Sequence, residues 1–154
     1  MAIKYSLQFF DRNDGLNTIN IESDAYVGSV ININGYANLK AGSIDEISSV
    51  YRGLGLELNL QADASQTFSE LFTSAERVWK VTYIVDLVTI FVGWVEPEGY
   101  FESFNDTSWY LTVTCVDGLN YLENLSYVQS TGLIWTGRQS GLEIIKNCLD
   151  RLEL

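Results

Sequence analysis

Four carboxylates follow one another in a short stretch, Glu96, Glu98, Glu102 and Asp106, around Pro97, the chain's one proline. Paired carboxylates are what a glycosidase needs, one as acid and one as nucleophile or base, held a definite few ångströms apart across a cleft. Spacing along a loop does not make that cleft, and acidic residues beside a Gly-Pro-punctuated loop are in the ordinary case its solvated face. A second group, Asp11, Asn13 and Glu22, falls at the first, third and twelfth places of a calcium loop. There Gly15 occupies a ligand place and Leu16 stands where the sharp turn requires glycine, so the stretch reads as a hairpin turn. The two glycines around Arg138 lack the Lys-Ser/Thr ending of a phosphate loop. With no histidine in the chain, triad hydrolysis, histidine-based zinc sites and histidine pH switching are excluded. The expectation is a chain that is not an enzyme, with no catalytic residue, no metal and no cofactor.

The aromatic residues are the other candidates. Trp79, Trp94 and Trp109 recur every fifteen residues, as an internal repeat or a sugar-stacking platform would have it. Their neighbours do not repeat, and strand-turn-strand spacing places large aromatics in a core with the same recurrence. Trp135 differs, because it lies in the glycine-bounded stretch Thr131-Gly132-Leu133-Ile134-Trp135-Thr136-Gly137 with little other burial pattern. It is the tryptophan expected to touch a partner, with Ile134 and Arg138 beside it.

The elements that position these residues are mostly strands. Arg77 to Glu96 is the longest apolar β pattern: Trp79, Val81, Tyr83 and Val85, then, after Asp86 and Leu87, Val88, Ile90, Val92 and Trp94. It predicts a hairpin whose second strand is central and covered on both faces. Ile3, Tyr5, Leu7 and Phe9, a turn at Asp11 to Gly15, and Thr18 to Glu22 predict an N-terminal hairpin. Val30 to Gly35 reads as a third strand and Leu54 to Leu60 as a fourth, with Tyr36 to Ser49 between them a mixed polar segment. Glu98 to Phe104 reads as an edge segment, Trp109 to Cys115 as a strand stopped by Asp117-Gly118, and Leu119 to Leu125 as a helical turn.

Two helices are expected. Thr67 stands three before Glu70, a capping box opening a short helix within Ser65 to Ala75. Ser140 and Glu143 form another, followed by the stripe Leu142, Ile145, Cys148, Leu149 and Leu152, which should pack on the sheet. No stop signal follows Leu154, so the chain reads either as the N-terminal part of a longer protein or as one whose last helix docks on a partner. The whole is one β-rich domain over residues 1–154, mainly antiparallel, with two flanking helices. The expected contact regions are the Trp135 loop, the terminal helix through Leu149 and Leu152, and Tyr36 to Ser49.

A net charge of −11, with nine scattered Lys and Arg, opposes nucleic acid as a partner. No run approaches the roughly 18 apolar residues of a membrane helix, and residues 1–10 alternate without the pattern of a secretory signal. Synthesis in the cytoplasm is expected, with Cys115 and Cys148 reduced.

Three segments resemble proteins of the bacteriophage and prophage tail and baseplate, in particular the hub-like set of tail gene clusters. They are Phe91-Val92-Gly93-Trp94-Val95-Glu96-Pro97, Cys115-Val116-Asp117-Gly118-Leu119-Asn120-Tyr121-Leu122, and Thr136 to Leu152. The resemblance implies a β-rich α+β fold, an antiparallel split barrel or sandwich with a flanking helix. It also implies assembly into trimeric or hexameric rings, contacts with other tail and baseplate proteins, and a place in the virion tail. It supplies no catalytic residue. The opposing expectation is a monomeric β-sandwich or barrel that binds a glycan or small apolar ligand by its aromatics. An enzyme working through Glu96 or Glu98 ranks third.

Overall fold

The computed structural model describes residues 1–41, 54–75, 77–96, 108–117 and 137–152, with Val128, Leu133 and Trp135. The chain is mainly β: β1 Ala2–Phe10, β2 Leu16–Ser23, β3 Ile31–Ile33, β4 Gly35–Ala41, β5 Leu54–Asp63, β6 Lys80–Val85, β7 Val88–Val95 and β8 Ser108–Asp117. Among the described residues one α-helix occurs, α1 Gly141–Leu152, near the C-terminal end of the sequence. The strands form a single sheet in the order β3-β1-β2-β6-β7-β8-β5-β4. Among the described residues every pairing is antiparallel except that of β3 with β1, which is parallel.

The two ends of that order are consecutive in the chain. Ile33 ends β3 opposite Leu7 of β1, Gly35 opens β4 opposite Leu60 of β5, and Asn34 alone separates them. The Asn34 carbonyl accepts the Gln61 N–H at 2.8 Å, continuing the β5 ladder across the step. One residue spans only a few ångströms, so the sheet must curl until its edges meet, with β1 against β4. A side chain at Gly35 would collide with the Asn59 carbonyl, so this step needs glycine.

Alternation explains the interior. Leu56, Leu58 and Leu60 of β5 lie opposite Cys115, Val113 and Leu111 of β8, all buried, and Ile19 and Ile21 of β2 face Tyr83 and Val81 of β6. These residues belong to one core cluster that includes Phe68 and Leu71. The latter two come from the segment between β5 and β6, where a 3-10 turn, Ser69–Leu71, folds over the core and sets the Phe68 ring edge-on to Tyr5. The central hairpin, β6 with β7, stands in mid-sheet as expected. Its second strand is buried on both faces at Gly93–Val95, while Val88–Ile90 are exposed. A Cβ at Gly93 would run into the Val116 carbonyl and the Phe91 ring, so β7 and β8 approach closely there.

Three expectations need correction. The helix predicted within Ser65 to Ala75 is the single 3-10 turn, without its capping box. Phe68, in left-handed backbone at φ 56°, precedes the turn, and the Glu70 carboxylate is drawn to Lys4 and Tyr5 instead of to the local backbone. The opening of the segment Tyr36 to Ser49 is strand β4, whose polar Tyr36, Asn38 and Lys40 alternate with Ala37 and Leu39 too weakly to be read from sequence. Residues 42–49 of that segment lie outside the described residues, as do the expected edge segment Glu98 to Phe104 and the helical turn at Leu119 to Leu125.

The last correction concerns α1. Its capping box is present: Glu143 Oε2 accepts the Ser140 N–H at 2.7 Å, and Ser140 Oγ accepts the Glu143 N–H at 3.3 Å. The expected packing on the sheet is not, since Leu142, Ile145 and Leu149 are exposed. Curling the sheet turns its main apolar face inward, where strands and the 3-10 turn fill it, so that face is not open to a helix. No helix among the described residues is long and apolar enough to cross a membrane.

Candidate functional site

The β1–β2 turn is built by Asp11. Its Oδ1 accepts the N–H groups of Asn13 at 2.7 Å and Gly15 at 2.9 Å, and Asp14 takes a left-handed conformation, φ 61°, which aspartate tolerates better than most residues. These bonds, the one from Gly15 foremost, hold the Asp11 carboxyl below the ordinary carboxylate range against a small opposing effect of burial. The β6–β7 turn is Asp86-Leu87, closed by the pair Val85↔Val88. Both turn residues have positive φ, 46° and 69°, the signature of a two-residue type I′ turn.

Because β2 pairs with β6, the two turns sit side by side. Asp86 fastens them: its Oδ1 accepts the Leu16 N–H at 2.9 Å and its own N–H donates to the Leu16 carbonyl at 3.0 Å. Behind them the buried Asn17 donates through Nδ2 to the Gly15 carbonyl and accepts the Tyr83 hydroxyl at 2.7 Å. Burial and the Asp11 charge push the Tyr83 hydroxyl above its ordinary value. Buried hydrogen bonds thus back a rigid double-hairpin tip.

What the tip presents is apolar. Leu87 is 94% exposed, Phe10 69% and Val88 63%, with Leu16 and Ile90 exposed beside them. The same two turns carry the exposed charged residues Asp11, Arg12, Asp14 and Asp86. An exposed apolar group rimmed by charge is the form of a protein contact surface.

A second cluster lies at Lys4. Its ammonium is 2.7 Å from Glu70 Oε1 and between 5.2 and 5.5 Å from the ring centroids of Tyr5, Tyr26 and Trp79. Aromatic rings with a carboxylate form a cation site, and here the chain's own lysine fills it. The Tyr5 hydroxyl donates to the same Glu70 oxygen, and Trp79 Nε1 donates to the Glu70 carbonyl at 2.8 Å. Burial alone would raise the Glu70 pKa, but the bonds from Lys4 and Tyr5 outweigh it and hold the carboxyl below its ordinary range. Tyr5 is pushed well above the ordinary phenol value, first by burial and then by its bond to Glu70. The cluster pins the 3-10 turn to β1.

The residues singled out from sequence are scattered. Trp135 is half-buried, Arg138 and Leu149 are exposed, Ile134 lies outside the described residues, and of Leu152 only the backbone, closing α1, is described. Trp79 and Trp94 are buried and Trp109 is half-buried, so the three do not form an exposed platform, and the Arg77 guanidinium lies 4.4 Å from the centre of the Trp94 ring. Of the acidic series only Glu96 is described, its N–H donating to the Thr114 carbonyl. Asp11 spends an oxygen on its turn while Glu22 sits along β2 opposite Ile3 and Lys80, so the calcium spacing is a hairpin. Among the described residues no cluster of metal-ligating side chains occurs. Neither buried Cys115 nor half-buried Cys148 is in a disulfide.

Sequence reasoning missed the tip. The available signal was Asp86-Leu87 in a two-residue turn, where the geometry favours Asn-Gly or Asp-Gly and a leucine is out of place. Comparison with protein-family models, with curated proteins and with solved structures gives no match to this chain.

Proposed function

We propose that this chain is a non-enzymatic structural component of a phage or prophage tail or baseplate, working through contacts with copies of itself and with other tail proteins. The observation that carries the reading is the exposed apolar surface at two places, the double-hairpin tip and the α1 stripe, on a chain whose core is already closed. A monomer gains nothing from an exposed Leu87 or Leu142, whereas an assembled subunit buries them. The tail-like segments around Gly93, Asp117 and α1 support the same reading. So does the acidic charge, which keeps a protomer soluble before assembly and repels DNA from a tube lining.

On this reading the protein is made in the bacterial cytoplasm and ends in the virion. Removing its reading frame from the phage or prophage that encodes it should leave filled heads without working tails. Normal tailed, infective particles from such a deletion would overturn the proposal.

A further inference from the structure

The outer face of β4, β5 and β8 brings two exposed rings and a nearly buried amide together. Residues opposite one another across paired strands share a face, so Tyr36, Asn59 and Thr112 form one row, and Gln61 and Tyr110 adjoin it. Leu58 and Leu60 of β5 point into the core, so Asn59 and Gln61 point outward. Tyr36 and Tyr110 stand on the two strands that flank β5, and their ring centroids are 5.7 Å apart at 60°, so the rings meet above it. Both rings stay open to solvent, Tyr36 48% and Tyr110 62% exposed.

Asn59 lies between these strands and is only 8% exposed. Its Oδ1 accepts the Thr112 hydroxyl at 2.8 Å, and its Nδ2 donates to nothing among the described residues. A nearly buried amide with one end unpaired is unfavourable for the fold alone, and a group arriving from outside would satisfy it. The parts are also held in place, the amide by Thr112 and the rings by each other on paired strands, so little ordering remains to be done on binding.

The side chains of the row set the class of ligand. A sugar ring has an apolar C–H face, which lies well against an aromatic ring, and hydroxyls, which both donate to and accept from amides. Here two tyrosines stand with the amides of Asn59 and Gln61 and the hydroxyl of Thr112, and no charged side chain stands among them. The rows on either side bring two carboxylates, Glu57, which pairs with Lys40, and Asp63, which is bonded to Ser65 and Gln66 of its own turn. With −11 on the whole chain, an acidic ligand would be repelled. We infer that this face binds a neutral oligosaccharide, Tyr36 and Tyr110 stacking on adjacent sugar rings and Asn59 Nδ2 donating to a sugar oxygen. The inference stands apart from the assembly reading above and does not depend on it.

The test is calorimetric titration of the full chain with three neutral probes, cellohexaose, maltohexaose and N-acetylchitohexaose, wild type against Tyr36→Ala, Tyr110→Ala and Asn59→Leu. Both tyrosines are exposed, so truncating them leaves the core intact, and Asn59→Leu gives up only the bond from Thr112. At least one probe should bind the wild type saturably, and each tyrosine variant should weaken that binding by roughly tenfold or more. Asn59→Leu should lose it while keeping a cooperative thermal melt. No saturable heat with any of the three probes would overturn the proposal, and so would binding that both tyrosine variants retain at full strength. A face that binds no sugar but whose Tyr36→Ala variant lowers the solution mass would be a contact between copies instead. The wild-type solution mass, measured without sugar, decides the assembly reading separately.

Discussion

Leu87 holds a conformation that costs a leucine about 1–2 kcal/mol, and in the isolated chain its side chain has no apolar cover. Replacing it with glycine should therefore raise monomer stability. We expect a gain of about 1 kcal/mol, a rise in Tm of about 2–4 °C for a chain of this size, measured by thermal unfolding in dilute solution. A fall in Tm would mean that Leu87 is stabilising where it stands. Glu70 makes the opposite kind of contribution. Its folded carboxyl lies below the ordinary range, so its stabilisation is complete above the unfolded pKa and is lost as pH falls through the lower folded value. Glu70→Gln should reduce stability at neutral pH and leave it little changed in strong acid, so the gap between wild type and variant in denaturant melts narrows from pH 7 to pH 3. A gap independent of pH would remove the charge of Glu70 from the account.

At the scale of elements, two substitutions separate the sheet from the helix. Gly93→Ala places a methyl against the Val116 carbonyl and the Phe91 ring in mid-sheet, and it should destabilise the fold by about 1–3 kcal/mol in equilibrium denaturation. Ser140→Ala removes both the hydroxyl that accepts the Glu143 N–H and its bond to Glu143 Oε2, worth about 1 kcal/mol of helix stability. Because α1 does not rest on the sheet, that variant should speed amide exchange along Gly141–Leu152 while strand amides keep wild-type protection. The elements legible in sequence share one property. β1, β2, β6 and β8 set β-branched or aromatic residues against clearly polar neighbours, and the α1 capping box is closed by residues three apart. What was not legible depends on distant partners. Glu70 resembles a capping residue until Lys4, 66 residues away, takes its carboxylate, and β4 hides its period because Ala37 contrasts weakly with its neighbours. The parallel pairing of β3 with β1 leaves no local trace at all. The tip was invisible for a related reason, since exposure of Phe10, Leu87 and Val88 is decided by which hairpins stand together.

For the whole molecule, the step at Asn34 has the widest consequence. By joining the two ends of the strand order it turns one apolar face of the sheet inward around a single core. Exposed apolar side chains stand at the hairpin tip and on α1, and also along the strands at Tyr36, Leu39 and Tyr110. Each copy carries a net charge of −11 while α1, with Lys146 and Arg151 against Glu143 and Asp150, carries none, so repulsion between copies is screened as salt rises and association should hold or strengthen at high ionic strength. The central claim, that the chain is a subunit built to assemble, is tested most directly by the wild-type solution mass across a wide range of protein concentration. The account predicts a discrete oligomer, a trimer or hexamer, that grows in at the expense of monomer as concentration rises. A monomer mass at every concentration would contradict it.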